Sequence, residues 1–158
     1  MTTRHLLRSA LVGAAAGAAG TTALNAATYA DMTWRARPAS STPQDTVEKL
    51  ADLAGAKVPG EGEDRDNRLS SLGALSGIVT GVAIGTAYGV ARGLGMRPPV
   101  AVGALVAGAG ALLGSNGPMT VLGITDPRTW GTSDWVSDVL PHLAYGAVTA
   151  ATAAAADR

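Results

Sequence analysis

A chain of 158 residues is long enough for one domain, but its apolar fraction is rich in alanine and holds no phenylalanine, which makes a thin core in water. Twelve basic and twelve acidic residues cancel to zero net charge, so nothing points to a nucleic-acid surface. Cysteine is absent, which excludes disulfides and thiolate chemistry.

Charge placement says more than charge number. Four stretches hold no Asp, Glu, Lys or Arg: Ser9 to Ala30, Leu69 to Ala91, Pro98 to Thr125 and Val139 to Ala156. Each approaches or exceeds the ~20 residues that cross a ~30 Å hydrocarbon core as a helix. The expected fold is an all-α polytopic membrane bundle of four transmembrane helices, at about 7–32, 69–94, 99–124 and 134–156, in one membrane domain over 1–158. The alternative is a soluble bundle rich in Ala and Gly, but exposed faces of soluble helices carry charge and these carry none.

The first span opens with "RHLLRSALVGAAAGAAG", which also has the basic start, apolar centre and small residues of a signal peptide. Its apolar run is too long for a typical signal, and Gly13 and Gly17 read instead as helix-packing positions. An extramembrane loop, 33–68, follows. Within it, Thr42 suits an N-cap, Pro43 the first helical position and Asp45 the capping box, predicting a short amphipathic helix over about 43–54. Val47, Leu50, Leu53 and Ala54 share a face and Gly55 stops the helix. That helix either lies against the membrane or bundle or is a solvated linker. The polar "GEGEDRDNR" after it reads as a mobile turn-rich loop.

The second span sets a glycine at every fourth position: Gly73, Gly77, Gly81, Gly85, Gly89 and Gly93. A step of four advances ~400° on a 3.6-residue helix, so the series forms one slowly winding groove. Such a glycine zipper lets neighbouring backbones approach closely. Across the series the groove turns by roughly 200°, too far for one straight partner, so this helix is expected at the centre with several neighbours. "ARGLGMRPP" then makes a tight hairpin into the third span, where Gly110 and Gly114 are further packing positions. In "GSNGPM", Pro118 is expected to kink the helix and free carbonyls beside Asn116. Asp126 and Arg128 read as a turn around Pro127, not as a catalytic pair.

In the fourth span His142 lies about eight residues in, Asp138 one turn before it on the same face, and Tyr145 just beyond. Asn25, Asn116 and His142 all fall roughly 9 to 12 Å below the same surface at 1.5 Å per residue, forming one polar layer that Thr22, Ser115, Asp138 and Tyr145 could join. The layer is either helix-to-helix hydrogen bonding or an intramembrane site for a proton or small solute. His5 and His142 stand at opposite faces and make no metal site. No nucleotide-binding fingerprint is present, and neither catalytic residues nor a cofactor is expected. Ala10 to Thr22 aligns without gaps to Ala104 to Asn116, a faint sign of a two-hairpin repeat.

Arg4, Arg8, Arg92, Arg97 and Arg158 gather on one side with Asp157 as its only acid, while seven basic residues and most acids lie on the other. Net charge puts both termini in the cytoplasm, although a count of basic residues alone is nearly balanced. Trp34, Trp130 and Trp135 fall on the opposite side, as an interfacial belt would have it. In "GAAGTTALNAATY", "SSTPQDTVEKLA", "NGPMTVLGITDPRTW" and "PHLAYG" the chain resembles a type of small four-helix integral membrane protein common in high-GC actinobacteria. That resemblance implies a plasma-membrane protein of unassigned activity and transfers no catalytic residues. The expected role is non-enzymatic, a helix-packing or assembly protein whose partners are the lipid bilayer and either itself or another membrane protein. The alternative is a small oligomeric transporter or channel that uses the polar layer.

Overall fold

A computed structural model of the chain describes residues 2–156. Asp157 and Arg158, counted in the charge balance above, lie outside them. The described residues form five helices and no strand: α1 (Thr3–Arg35), α2 (Thr42–Leu53), α3 (Gly62–Gly93), α4 (Val100–Val121) and α5 (Thr132–Ala155), with one 3-10 turn at Pro127–Thr129.

The four long helices make an up-down-up-down bundle whose register is set by small residues. Along α1 and α3, Gly13 meets Gly89, Gly17 meets Gly85 and Thr21 meets Gly81, so the two helices run antiparallel in steps of four. A Cβ on Gly17 would lie 2.6 Å from the carbonyl oxygen of Gly81, and one on Gly13 would lie 2.8 Å from the Cα of Gly89. Only glycine admits that approach. On the other side of α1, Gly20 faces Thr149 and Tyr145 of α5. Helices α4 and α5 meet as closely: a Cβ on Gly108 would lie 2.8 Å from the His142 carbonyl oxygen, and one on Gly146 would lie 2.9 Å from the Cα of Gly108.

The glycine series of α3 serves two partners, though not as a central helix. Gly81, Gly85, Gly89 and Gly93 face α1, and Gly73 faces Pro43 of α2. Gly77, between the two sets, has nothing within 4 Å of a Cβ position. The helix with extensive contacts on both sides is α1, between α3 and α5, while α3 touches α4 only lightly. At that light contact Gly110 and Gly114 rest against Ile84.

Large apolar side chains point outward. Leu11, Leu75, Val79, Leu105, Val106, Leu113, Leu140 and Leu143 are exposed, whereas among the described residues the largest fully buried side chains are Tyr145 and Thr149. Three helices, α1, α3 and α4, are long and apolar enough to cross a membrane.

Several ends differ from expectation. Residues in "GEGEDRDNR" belong to α3 from Gly62 onward rather than to a loop. Glu63 and Asp64 fall in its first turn, where acidic side chains complement the helix dipole, and Arg65 pairs with Glu48 of α2. The hydrogen bond to Glu48, and after it the charge attraction between the two, raises the Arg65 pKa. Helix α2 therefore lies along this extension, starting one residue before expectation, with Ser41 rather than Thr42 in the N-cap position, where its side chain makes no capping bond, and with Thr46 buried. Leu50 and Leu53 stay exposed, so the expected apolar face is not the one that packs. Helix α4 continues through Pro118 to Val121. The α3–α4 hairpin closes at Gly95, whose φ of +103° would strain other residues.

Candidate functional site

The close approach of α4 and α5 sets Ser115 and Asn116 beside Asp138 and His142. Asn116 donates from Nδ2 to Asp138 Oδ2 at 2.7 Å. His142 Nδ1 lies 2.7 Å from the backbone oxygen of Asp138 and 3.6 Å from its Oδ1. Its other ring nitrogen, Nε2, lies 3.2 Å from Ser115 Oγ. The His142 side chain is buried, and Asp138 is mostly so.

These contacts assign the hydrogens. A backbone carbonyl only accepts, so Nδ1 donates and the neutral ring keeps Nε2 as an acceptor for the Ser115 hydroxyl. The same hydroxyl is also within 3.0 Å of the Ala111 carbonyl and 3.1 Å of that of Leu112. Were the ring to gain a proton, Nε2 would donate to Ser115 Oγ and the hydroxyl hydrogen would turn to one of those carbonyls. Both protonation states are thus served by one rotation about a side-chain bond. Tyr145, wholly buried one turn farther on, reaches across the bundle and donates to the Gly81 carbonyl at 2.7 Å.

Asn116, His142, Asp138 and Ser115 come together, with Tyr145 tying the next layer to α3. Asn25 does not join them. It is half-buried and makes no side-chain hydrogen bond among the described residues. Thr22 bonds back to the carbonyl of Ala18 and is exposed. The register explains the outcome for Asn25: continuing Gly13–Gly89, Gly17–Gly85 and Thr21–Gly81 by one step pairs Asn25 with Gly77, where the seam has opened. Equal depth places residues in one layer, whereas helix rotation decides whether they meet.

Other polar groups hold the loop end together. Asp31 takes two hydrogen bonds of 2.6 Å from Arg35 and one of 2.6 Å from Arg37. Arg35 also donates to Ser133, at 2.6 Å, and to Ser137, fastening α1 to α5. Asp126 accepts the Arg128 guanidinium and its backbone N–H, and these bonds hold its carboxyl below the usual range. With Arg128 exposed, the pair is a turn. Trp130 and Trp135 stack edge to face at 5.0 Å. Among the described residues no cluster of three metal-ligating side chains occurs.

No family model matches the chain, and no curated protein or solved structure is detectably similar to it.

Proposed function

We propose that the chain is a multi-pass plasma-membrane protein in which α1, α3, α4 and α5 all cross the bilayer, with both termini cytoplasmic, and that it acts without catalysis as a helix-packing or assembly component. The small actinobacterial membrane proteins it resembles would share this architecture. Support for the fourth span comes from the way α5 divides its residues. At 24 residues it is about 36 Å long, enough to cross. Of its polar members, Asp138, His142 and Thr149 bond to α4 or α1, while the apolar Trp135, Val136, Leu140 and Leu143 are exposed. Polar residues that face protein lower the helix's overall apolarity without touching lipid.

The observation that carries the assembly reading is the opening in the α1–α3 seam. Asn25 lacks a hydrogen-bond partner among the described residues, and Gly77, which the four-residue register would set opposite it, has open space at its Cβ position. In hydrocarbon an unsatisfied amide costs several kcal/mol, and a neighbouring helix that approaches over Gly77 supplies the partner. Exposed Leu75, Ile78 and Val79 extend the same region.

A transporter or channel is the second reading, favoured by the Ser115 hydroxyl that serves either protonation state of His142. With four helices a conduit would require several copies. Native mass spectrometry of the detergent-solubilised protein is expected to give a defined homo-oligomer or a complex with another membrane subunit, and Gly77→Leu should release a folded monomer. A second subunit favours the accessory role, whereas identical copies keep both readings. A wild-type protein that is wholly monomeric would overturn both.

A further inference from the structure

The membrane end away from the tryptophans contains a cavity of about 210 Å³, where the start of α1, the end of α3 and the end of α5 converge. Its rim carries His5 and Arg8 from α1, Arg92 from α3 and Arg97 from the α3–α4 hairpin, and Ser9 and Gly89 lie between them. We propose that this cavity binds the phosphate of an anionic phospholipid headgroup, an inference that rests on the membrane-spanning reading above.

Three features point to that ligand. The first is charge contrast between the two ends. Arginines at the tryptophan end sit against carboxylates: Arg35 and Arg37 on Asp31, Arg65 on Glu48 and Arg128 on Asp126. At the cavity end the described residues include Arg4, Arg8, Arg92 and Arg97 and no Asp or Glu, and the sequence adds Asp157 as the only acid on that side. Net positive charge recruits the anion, so no guanidinium needs to lack a protein partner.

The second feature is construction. Arg92 is buried, and its guanidinium lies over the ring of Tyr88, 5.8 Å from the centroid, with Nη1 3.4 Å from the phenol oxygen. Held against its own helix, the Arg92 guanidinium brings a fixed positive charge to the cavity wall at little cost in side-chain entropy. Gly89 and Gly93 make this possible because each lies against Ser9, which draws α1 onto α3 and leaves Arg8 and Arg92 on the same cavity.

The third feature is position and size. The cavity lies at the ends of helices whose apolar flanks face lipid, the level at which phospholipid headgroups reside. Its volume of about 210 Å³ leaves room for a phosphate group with some of its hydration. Basic pockets between transmembrane helices recognise anionic headgroups in this way.

The test compares full-length protein, purified in detergent, for retention and thermal stabilisation by phosphatidylglycerol, phosphatidylcholine and inorganic phosphate. Phosphatidylglycerol is expected to bind at least tenfold more tightly than phosphatidylcholine. Arg8→Gln and Arg97→Gln should each reduce that preference about fivefold, the effect of one basic residue beside an anionic headgroup, while Arg128→Gln at the far end should leave it unchanged. Because Arg92→Gln could unfold the bundle, the inference is judged on the two rim variants. Equal retention of both lipids, or an undiminished preference in both variants, would overturn it. Stabilisation by inorganic phosphate equal to that by phosphatidylglycerol would overturn the lipid assignment. Failure of the membrane reading is distinguished separately, by protein that leaves membranes on alkaline washing.

Discussion

Gly85→Leu is expected to yield no stably folded protein, whereas Gly77→Leu, eight residues earlier in the same series, should fold with wild-type stability. A Cβ on Gly85 would press on the Cα of Gly17 and lie 2.6 Å from the carbonyl oxygen of Gly13 and the nitrogen of Gly17. All of these are backbone atoms that no rotamer change can move. Ordinary overpacking costs about 1–3 kcal/mol because side chains give way. Here two helices would have to separate along their whole contact, and the cost should exceed that range by several kcal/mol. Gly77 has nothing within 4 Å of its Cβ position, so a side chain can leave the backbone there without pressing on a neighbouring helix, and a leucine should disturb only assembly. Thermal unfolding in detergent, followed by circular dichroism, compares the two variants. A wild-type melting temperature for Gly85→Leu would refute the close α1–α3 contact.

Tyr145→Ala should destabilise the bundle by about 3–5 kcal/mol, the range for deleting a large buried ring. Tyr145 is 0% exposed and fills the centre between α5, α3 and α1, where the surrounding core is mostly alanine and glycine. Short side chains cannot reach into the space the ring would leave, so the loss of dispersion contacts should be close to complete. Tyr145→Phe separates packing from hydrogen bonding. It keeps the ring, removes only the bond to the Gly81 carbonyl, and should cost about 1 kcal/mol or less, as for other hydrogen bonds between helices in membranes. Equal losses in the two variants would show that the hydroxyl, not the ring, organises the centre.

Much of the architecture was legible in the sequence for a simple reason. Long uncharged stretches report helices that face an apolar surrounding, and reading them requires no knowledge of partners. Helix ends were less visible, because "EDRDNR" is polar enough for a loop while Glu63 and Asp64 suit a first helical turn equally well. The spacing of the α3 glycines marked a packing groove, but spacing cannot say where two helices diverge, and so Gly77 could not be told from Gly81. Gly20, Gly103, Gly108 and Gly146 were missed as packing positions although each lies within 4 Å of a neighbouring helix at its Cβ position. The signal existed in Gly103, Ala107 and Ala111, a small residue at every fourth position, all of them buried. For the polar cluster, the i, i+4 relation of Asp138 and His142 was readable. Which asparagine would reach it depended on the rotation of α1 against α4, which depth alone does not encode. The bond from Arg35 to Ser133 and Ser137 spans about a hundred residues of sequence and left no local trace.

The central claim is that all four long helices cross the membrane, and it turns on α5, which is not among the three that are long and apolar enough to cross by length and composition alone. Because the chain has no cysteine, a single one placed at Thr2, Ser41, Ser133 or Ala156 is the only reactive thiol in each variant. Labelling intact cells with a membrane-impermeant thiol reagent should modify Ser41→Cys and Ser133→Cys, and should reach Thr2→Cys and Ala156→Cys only after lysis. If Ala156→Cys is labelled in intact cells while Thr2→Cys is protected, α5 does not cross and the four-span account is wrong.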